Sequence, residues 1–175
     1  CALSALTALQ SLNVRCNDIG AEGASRVAGA LTALTRLTSL DASANAIGPT
    51  GAAGLVAAMP HLAALRSLDL SSNGIGPDGA SAIAAPLALL TALQTLHIRS
   101  NRLGDTGATA LADALSSLTR LRNLDTWDNG LEPHGAAALC AAAGSFLTCA
   151  CLGVPLAVAR AALLAAGPAA AALNR

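Results

Sequence analysis

The sequence LRSLDLSSNGI at residues 65–75 decides the fold, because its pattern returns at a fixed interval along the chain. Leu68 and Leu70 alternate with positions 67, 69 and 71, which predicts a short strand with one face inward and one outward. Asn73 then predicts a turn, and its amide is able to bond backbone groups of neighbouring layers that a turn would leave unpaired.

A helix is predicted directly after this turn. Pro77 suits the first turn of a helix, and Asp78 is an acidic residue beside its N-terminus. Apolar residues then recur at intervals of three and four, which is typical of a helix with one buried stripe. They are Ala80, Ile83, Leu87 and Leu90.

This unit of strand, turn and helix recurs with a period of 28 residues and without insertions. Two residues after each turn asparagine stands Ile or Leu, and six residues after it stands a Gly followed by Ala. The turn asparagines are Asn17, Asn45, Asn73, Asn101 and Asn129. Five copies in phase predict a repeat protein in which each unit buries its apolar face against the next.

The run L-x-x-L-x-L-x-x-N-x-I at residues 65–75 resembles the leucine-rich repeat, and the 28-residue period with its following Gly-x-x-Gly-Ala is similar to the ribonuclease-inhibitor-like subclass. The likeness extends over residues 3–160. It implies an α/β solenoid, a curved horseshoe arc with a parallel sheet on the concave face and helices on the convex face. Spacing predicts the same curvature, since strands stack about 4.8 Å apart and helices roughly 8–10 Å apart.

A single domain is expected over residues 1–175. Residues 1–8 form a partial opening repeat and residues 9–148 five regular repeats. Residues 149–175 are predicted as a degenerate terminal repeat or cap, because Ala157 stands in place of the turn asparagine. The chain opens midway through a repeat and has no initiating Met, so we expect a fragment or a processed product.

Composition excludes several classes of function. Ten acidic and ten basic residues balance each other and give no basic stripe for nucleic acid. All ten basic residues are Arg, so chemistry that depends on Lys is excluded. No Gly-x-Ser-x-Gly motif occurs, no glycine turn ends in Gly-Lys-Ser/Thr, and three His without Lys or Tyr offer little for acid–base catalysis. We therefore predict no enzyme activity, no cofactor and no small-molecule substrate.

The residues that could bind a metal do not converge. By repeat phase, His61 falls on a helix, His97 on a strand and His134 at a helix start. Cys149 and Cys151 alternate to opposite sides of a strand. Zinc needs three or four converging ligands, so no metal site is predicted.

The cysteines favour a reducing environment, because their number is odd and their spacing fits no disulfide framework. The absence of any Asn-x-Ser/Thr sequence points the same way. We expect a cytoplasmic, intracellular protein, with a secreted effector delivered into a host cell as the alternative. The uncharged interval 135–159 is long enough to span a membrane, but its Ala content, its glycines and its repeat phase favour a repeat.

Outward-facing strand residues are the candidate binding residues. Trp127 is the single Trp of the chain and falls on the strand face between Asp125 and Asp128, where ordinary solvation does not account for it. Exposed aromatic and Arg residues anchor protein interfaces. The predicted partner-binding residues are Trp127, Arg99, His97, Asp125, Asp128, Asn123, Asp69 and Arg15. The alternative is that Trp127 folds over to cover the C-terminal repeat.

The sequence thus predicts a module that binds a protein partner on its concave face. The resemblance implies the same, since relatives include ribonuclease inhibitor, the sensor ends of NOD-like immune receptors and bacterial effectors. Residues 107–112, GATALA, are similar to the GALA effectors of plant pathogens, although no F-box segment is present. Two alternatives stay open: a GTPase-activating protein of the Ran-activator type, which shares this repeat, and a structural repeat segment of a larger receptor or effector.

Overall fold

The computed structural model describes residues 2–143, in which strands and helices alternate along the chain. The strands are β1 (Ser11–Asn13), β2 (Ser39–Asp41), β3 (Ser67–Asp69), β4 (Thr95–His97) and β5 (Asn123–Asp125). The helices are α1 (Gly20–Leu31), α2 (Gly48–Leu55), α3 (Gly76–Leu87), α4 (Gly104–Leu115) and α5 (Pro133–Ala143). Short 3-10 helices cover Ala2–Ala5 and Met59–His61. The predicted α/β repeat unit is confirmed.

The five strands form one parallel sheet in chain order. Each residue of β1 to β4 pairs with the residue 28 positions further on, so Leu40 pairs with Leu12 on one side and with Leu68 on the other. Each helix packs against the next helix in the same order. Because helices need about twice the spacing of strands, the stack curves and the sheet lies on its concave side.

The core lies between the sheet and the helices and consists mainly of Leu, Ile and Ala. Ala80, Ile83 and Leu87 form the buried stripe that the sequence predicts for α3. Leu90 is buried as well, but the prediction that it belongs to the helix is wrong. After Leu87 the backbone tightens to bonds between residues three apart, as in the bond from Leu90 N–H to the Leu87 carbonyl, and the chain turns toward β4.

The turn asparagines form a continuous ladder of hydrogen bonds through the layers. From Asn45 onward, the Oδ1 atom of each accepts the backbone N–H of the asparagine one layer earlier, at 2.9, 2.9, 3.0 and 2.8 Å from the first pair to the last. The Nδ2 atom donates to carbonyls of its own layer and of the layer before, as Asn101 does to Ile98 and Leu70. Backbone N–H and C=O groups in the turns, which have no strand partner, thereby form hydrogen bonds within the protein.

The loops that follow the strands hold several residues in the left-handed region. In the second layer Ala44 and Ala46 have φ of 54° and 52°, followed by Gly48 at 64°. Positions equivalent to Ala46 carry Gly74 and Gly130 in later layers, also with positive φ. An L-residue with a Cβ atom is held there at a cost of about 1–2 kcal/mol.

We therefore expect Ala46→Gly to raise the free energy of unfolding by about 0.5–1 kcal/mol, since relief of the left-handed strain exceeds the added entropy of the unfolded chain. Ala53→Gly is the matched control, because Ala53 is exposed inside α2. There the same change should lower stability by about 1 kcal/mol. Urea unfolding followed by circular dichroism measures both values, and two changes of the same sign would contradict this account.

The fifth layer departs from the others at the start of its helix. Glu132 stands where the earlier layers have a left-handed glycine, and its φ is not positive. Its backbone N–H donates to Asp105 Oδ1 at 2.8 Å, so a carboxylate of α4 caps the start of α5. In the earlier layers the equivalent glycine N–H donates to the backbone carbonyl of a turn asparagine, whereas the Glu132 N–H donates to a side-chain carboxylate.

Among the helices within residues 2–143, none has the length and hydropathy of a membrane span. The uncharged interval 135–159 extends past the described residues. The predicted terminal repeat at 149–175, with Cys149 and Cys151, lies outside them.

Candidate functional site

The sheet face is the set of strand-associated side chains that point away from the helices, arranged in three columns. The first column is Ser11, Ser39, Ser67, Thr95 and Asn123. The second is Asn13, Asp41, Asp69, His97 and Asp125. The third, directly after the strands, is Arg15, Ser43, Ser71, Arg99 and Trp127. Small polar side chains dominate the first column, so ionic and aromatic groups are confined to the other two.

Trp127 and Arg99 form the most prominent feature of the sheet face. The Arg99 guanidinium carbon lies 5.4 Å from the centre of the Trp127 ring, which is within cation–π distance. Trp127 is 52% exposed and Arg99 is exposed as well. The alternative, in which Trp127 folds over to cover the C-terminal repeat, involves residues 149–175, which lie outside the described residues.

The second column has a structural role that was not predicted from the sequence. Asp41, Asp69 and Asp125 each accept, through Oδ1, the backbone N–H of the residue two positions on, at 3.0, 2.8 and 3.0 Å. The N–H fixed by Asp125 belongs to Trp127, so this carboxylate holds the backbone that carries the ring. The recurrence of Asn or Asp two positions before the third column is the signal that could have revealed this bond.

His97 interrupts the column of carboxylates in β4. Its Nδ1 atom lies 3.6 Å from Asp69 Oδ2, and it stands opposite Asp125 on the other side. The contact with Asp69 is ionic only when the imidazole is protonated. Two carboxylates therefore border the one imidazole of this column.

The structure brings most, but not all, of the predicted binding residues together. Trp127, Arg99, His97, Asp125 and Asp128 lie in the fourth and fifth layers. Asp128 is exposed with a φ of 57°, and its Oδ2 accepts the Ser100 hydroxyl at 3.0 Å. Asn123 is exposed on β5 and Asp69 is one layer before His97.

Arg15 is separated from this group. It lies in the first layer, three layers before Arg99, which places it about 14 Å away along the sheet. Its pKa is raised by a hydrogen bond with Cys16, by the charge of Cys16, and by the carboxylates of Asp41 and Asp69. The guanidinium is protonated at any physiological pH, so the shift changes nothing in its charge.

Two residues of the third column are not available to a partner. The outward position of residue 71 predicts exposure, yet Ser71 is buried and so is Ser43. The Ser43 hydroxyl donates to Asp41 Oδ1 at 2.6 Å, which turns it toward the strand. The accessible part of the third column is therefore limited to Arg15 at one end and the Arg99–Trp127 pair at the other.

Within the described residues, no group of three or more His, Cys, Asp or Glu side chains is placed to hold a metal ion. His61 lies on a 3-10 helix, His97 on β4 and His134 near the start of α5. These three histidines are thus on three different parts of the repeat.

Comparison with known proteins supports the repeat. The family model of the Leucine Rich repeat matches residues 5–28, 61–84 and 90–112. A comparison with curated proteins found no significant sequence match. Among solved structures, the chain is similar to the tropomodulin C-terminal domain from Caenorhabditis elegans, with a TM-score of 0.67 and 16% identity over 81% of this chain and 86% of that chain. A likeness at that identity concerns the fold alone.

Proposed function

We propose that this chain, in which three segments match the leucine-rich repeat, binds a protein partner on its sheet face, with the Trp127–Arg99 pair as the anchor. Repeats of this family are commonly protein-interaction modules. The ribonuclease-inhibitor-like subclass stays a prediction, as does the cytoplasmic location that we propose with it.

One observation carries the proposal: an exposed Trp ring is stacked on an exposed Arg on the concave side of the solenoid. Trp and Arg are the residue types most enriched among those that dominate binding energy. The pairing also restricts both side chains before a partner arrives, which lowers the entropy lost on binding. The carboxylate of Asp125 adds to this by holding the Trp127 backbone.

We expect Trp127→Ala to weaken partner binding at least about tenfold, because truncation of an exposed aromatic anchor removes a residue of the type that dominates interface energy. The unfolding midpoint should change little, since exposed side chains away from the core contribute within about 0.5 kcal/mol. Affinity purification from the native source with wild type and with Trp127→Ala/Arg99→Ala identifies the partner, and titration calorimetry then measures both affinities.

Arg26→Ala is the control, because Arg26 is exposed on α1 and pairs only with Glu22. A partner held equally by the double variant would place the interface elsewhere, and a large loss of stability in Trp127→Ala would give the ring a structural role. Stimulated GTP hydrolysis by a small GTPase in the presence of the chain would favour the activator alternative instead.

A further inference from the structure

The four loops that lead from a helix into the next strand carry a charge pattern of their own. They comprise residues 32–38, 56–66, 88–94 and 116–122, of which the second contains the 3-10 helix Met59–His61, and we refer to them together as the strand-start edge. They contain four of the ten arginines of the chain and no Asp or Glu. These arginines are Arg36, Arg66, Arg120 and Arg122. The edge is thus a positive strip on a chain whose net charge is zero.

Backbone hydrogen bonds stack these loops directly. Arg66 N–H donates to the Thr38 carbonyl, Gln94 N–H to the Arg66 carbonyl and Arg122 N–H to the Gln94 carbonyl, each at 2.8 Å. Arg66 and Arg122 therefore stand two layers apart, or about 10 Å at the strand spacing. Arg36 and Arg120 occupy another column, three layers or about 14 Å apart.

All four of these arginines are exposed, and their guanidinium groups have no ion-pair partner among the described residues. Within residues 2–143 the ion pairs are Arg26–Glu22 and His97–Asp69, and neither involves the edge. None of the four side chains donates a hydrogen bond to another described residue. Each presents the planar fork of donors that binds a carboxylate through two parallel hydrogen bonds.

An apolar side chain lies on the same edge in the layer that has no Arg. Leu89 is 54% exposed, and its loop stands between the loop of Arg66 and the loop of Arg120. Arg is enriched in protein interfaces, and Leu89 gives the same edge one apolar contact point beside the guanidinium groups.

We propose that the strand-start edge is a second binding surface, which takes an acidic segment of a partner protein with an apolar residue placed on Leu89. Charge complementarity selects the segment, because its carboxylates would face four guanidinium groups and no acid. The carboxylates of Asp41, Asp69 and Asp125 on the sheet face repel such a segment within the range of salt screening and so confine it to the edge. This surface is separate from the Trp127–Arg99 pair.

The test measures fluorescence anisotropy of a labelled peptide of alternating Glu and Leu, titrated with the full chain at low ionic strength. Arg66→Gln/Arg122→Gln and, separately, Arg36→Gln/Arg120→Gln should each raise Kd about tenfold, because each removes two charge-assisted contacts. Arg26→Gln/Arg102→Gln is the matched control with the same change in charge away from the edge. Trp127→Ala should leave the peptide Kd unchanged, so failure here is distinguishable from failure at the sheet face.

Equal binding of a peptide with Gln in place of Glu would overturn the proposal, as would equal losses in the control. Binding of a labelled single-stranded DNA that depends on the edge arginines, together with no binding of the acidic peptide, would also overturn it, since the surface would then bind nucleic acid.

Discussion

Asn101→Ala should lower the free energy of unfolding by about 4 kcal/mol, because it orphans two buried backbone donors at up to about 3 kcal/mol each. Asn101 is fully buried. Its Oδ1 accepts the N–H of Asn73 at 3.0 Å and that of Ile75 at 3.2 Å, and neither donor has another partner among the described residues. The carbonyls that lose its Nδ2 are less affected, since Leu70 still accepts from Asn73.

Asn17→Ala provides the control within the same ladder. Asn17 is exposed in the first layer, and its Nδ2 donates to the carbonyls of Val14 and Arg15 while its Oδ1 accepts from no described residue. Water replaces such exposed bonds, so we expect a loss below about 1 kcal/mol. Urea unfolding followed by circular dichroism gives both values, and similar losses would show that the ladder contributes little through its buried donors.

Gly51→Ala should lower the free energy of unfolding by about 2 kcal/mol, as overpacking does in a filled interior. An added Cβ atom would stand 2.6 Å from Ile47 Cγ2, 2.9 Å from the Ala21 Cα atom and 3.2 Å from Ala24 Cβ. Ile47 and Ala24 are buried, and the Ala21 atom belongs to the backbone of α1, so the two helices must separate. The glycine that follows each turn by six residues therefore sets how closely the helices pack.

Gly29→Ala is the matched control, since a Cβ atom there would meet nothing within 4 Å. Gly29 is exposed near the end of α1, where Ala is the better helix former by up to about 1 kcal/mol. Relative to wild type, the thermal and urea unfolding midpoints should therefore fall for Gly51→Ala and rise for Gly29→Ala. If both Gly51→Ala and Gly29→Ala stabilised the protein, the contact between α1 and α2 would have space for the added Cβ atom, and the overpacking argument would be wrong.

The repeat period predicts the fold because the same residue types return at the same layer positions. The positions of Leu68 and Asn73 indicate the strand and the turn, and equivalent residues stand at the same positions in the other copies. The strands can therefore stack in a single register. Ala44 and Ala46 show what the period does not predict: their left-handed backbone is imposed by the loop, and Ala has no preference for it. The end of α3 at Leu87 is likewise hidden, because the apolar spacing continues to Leu90.

The candidate site is less visible in the sequence than the fold. Alternation places Trp127 and Arg99 on the same face, but their stacking depends on side-chain torsions that no pattern encodes. Ser71 follows the same alternation and is nevertheless buried. The strand-start edge was not predicted, since its arginines fill only some layers of two repeat positions, and the stacking of the loops brings them together.

The regular pairing of strand residues 28 positions apart also affects how a gene that encodes these repeats can gain or lose copies. Unequal crossing-over between two copies adds or deletes a whole layer while every remaining layer keeps its neighbours. Array length can thus grow or shrink in whole-repeat steps during evolution, and each new copy supplies fresh side chains on which selection for a different partner can act.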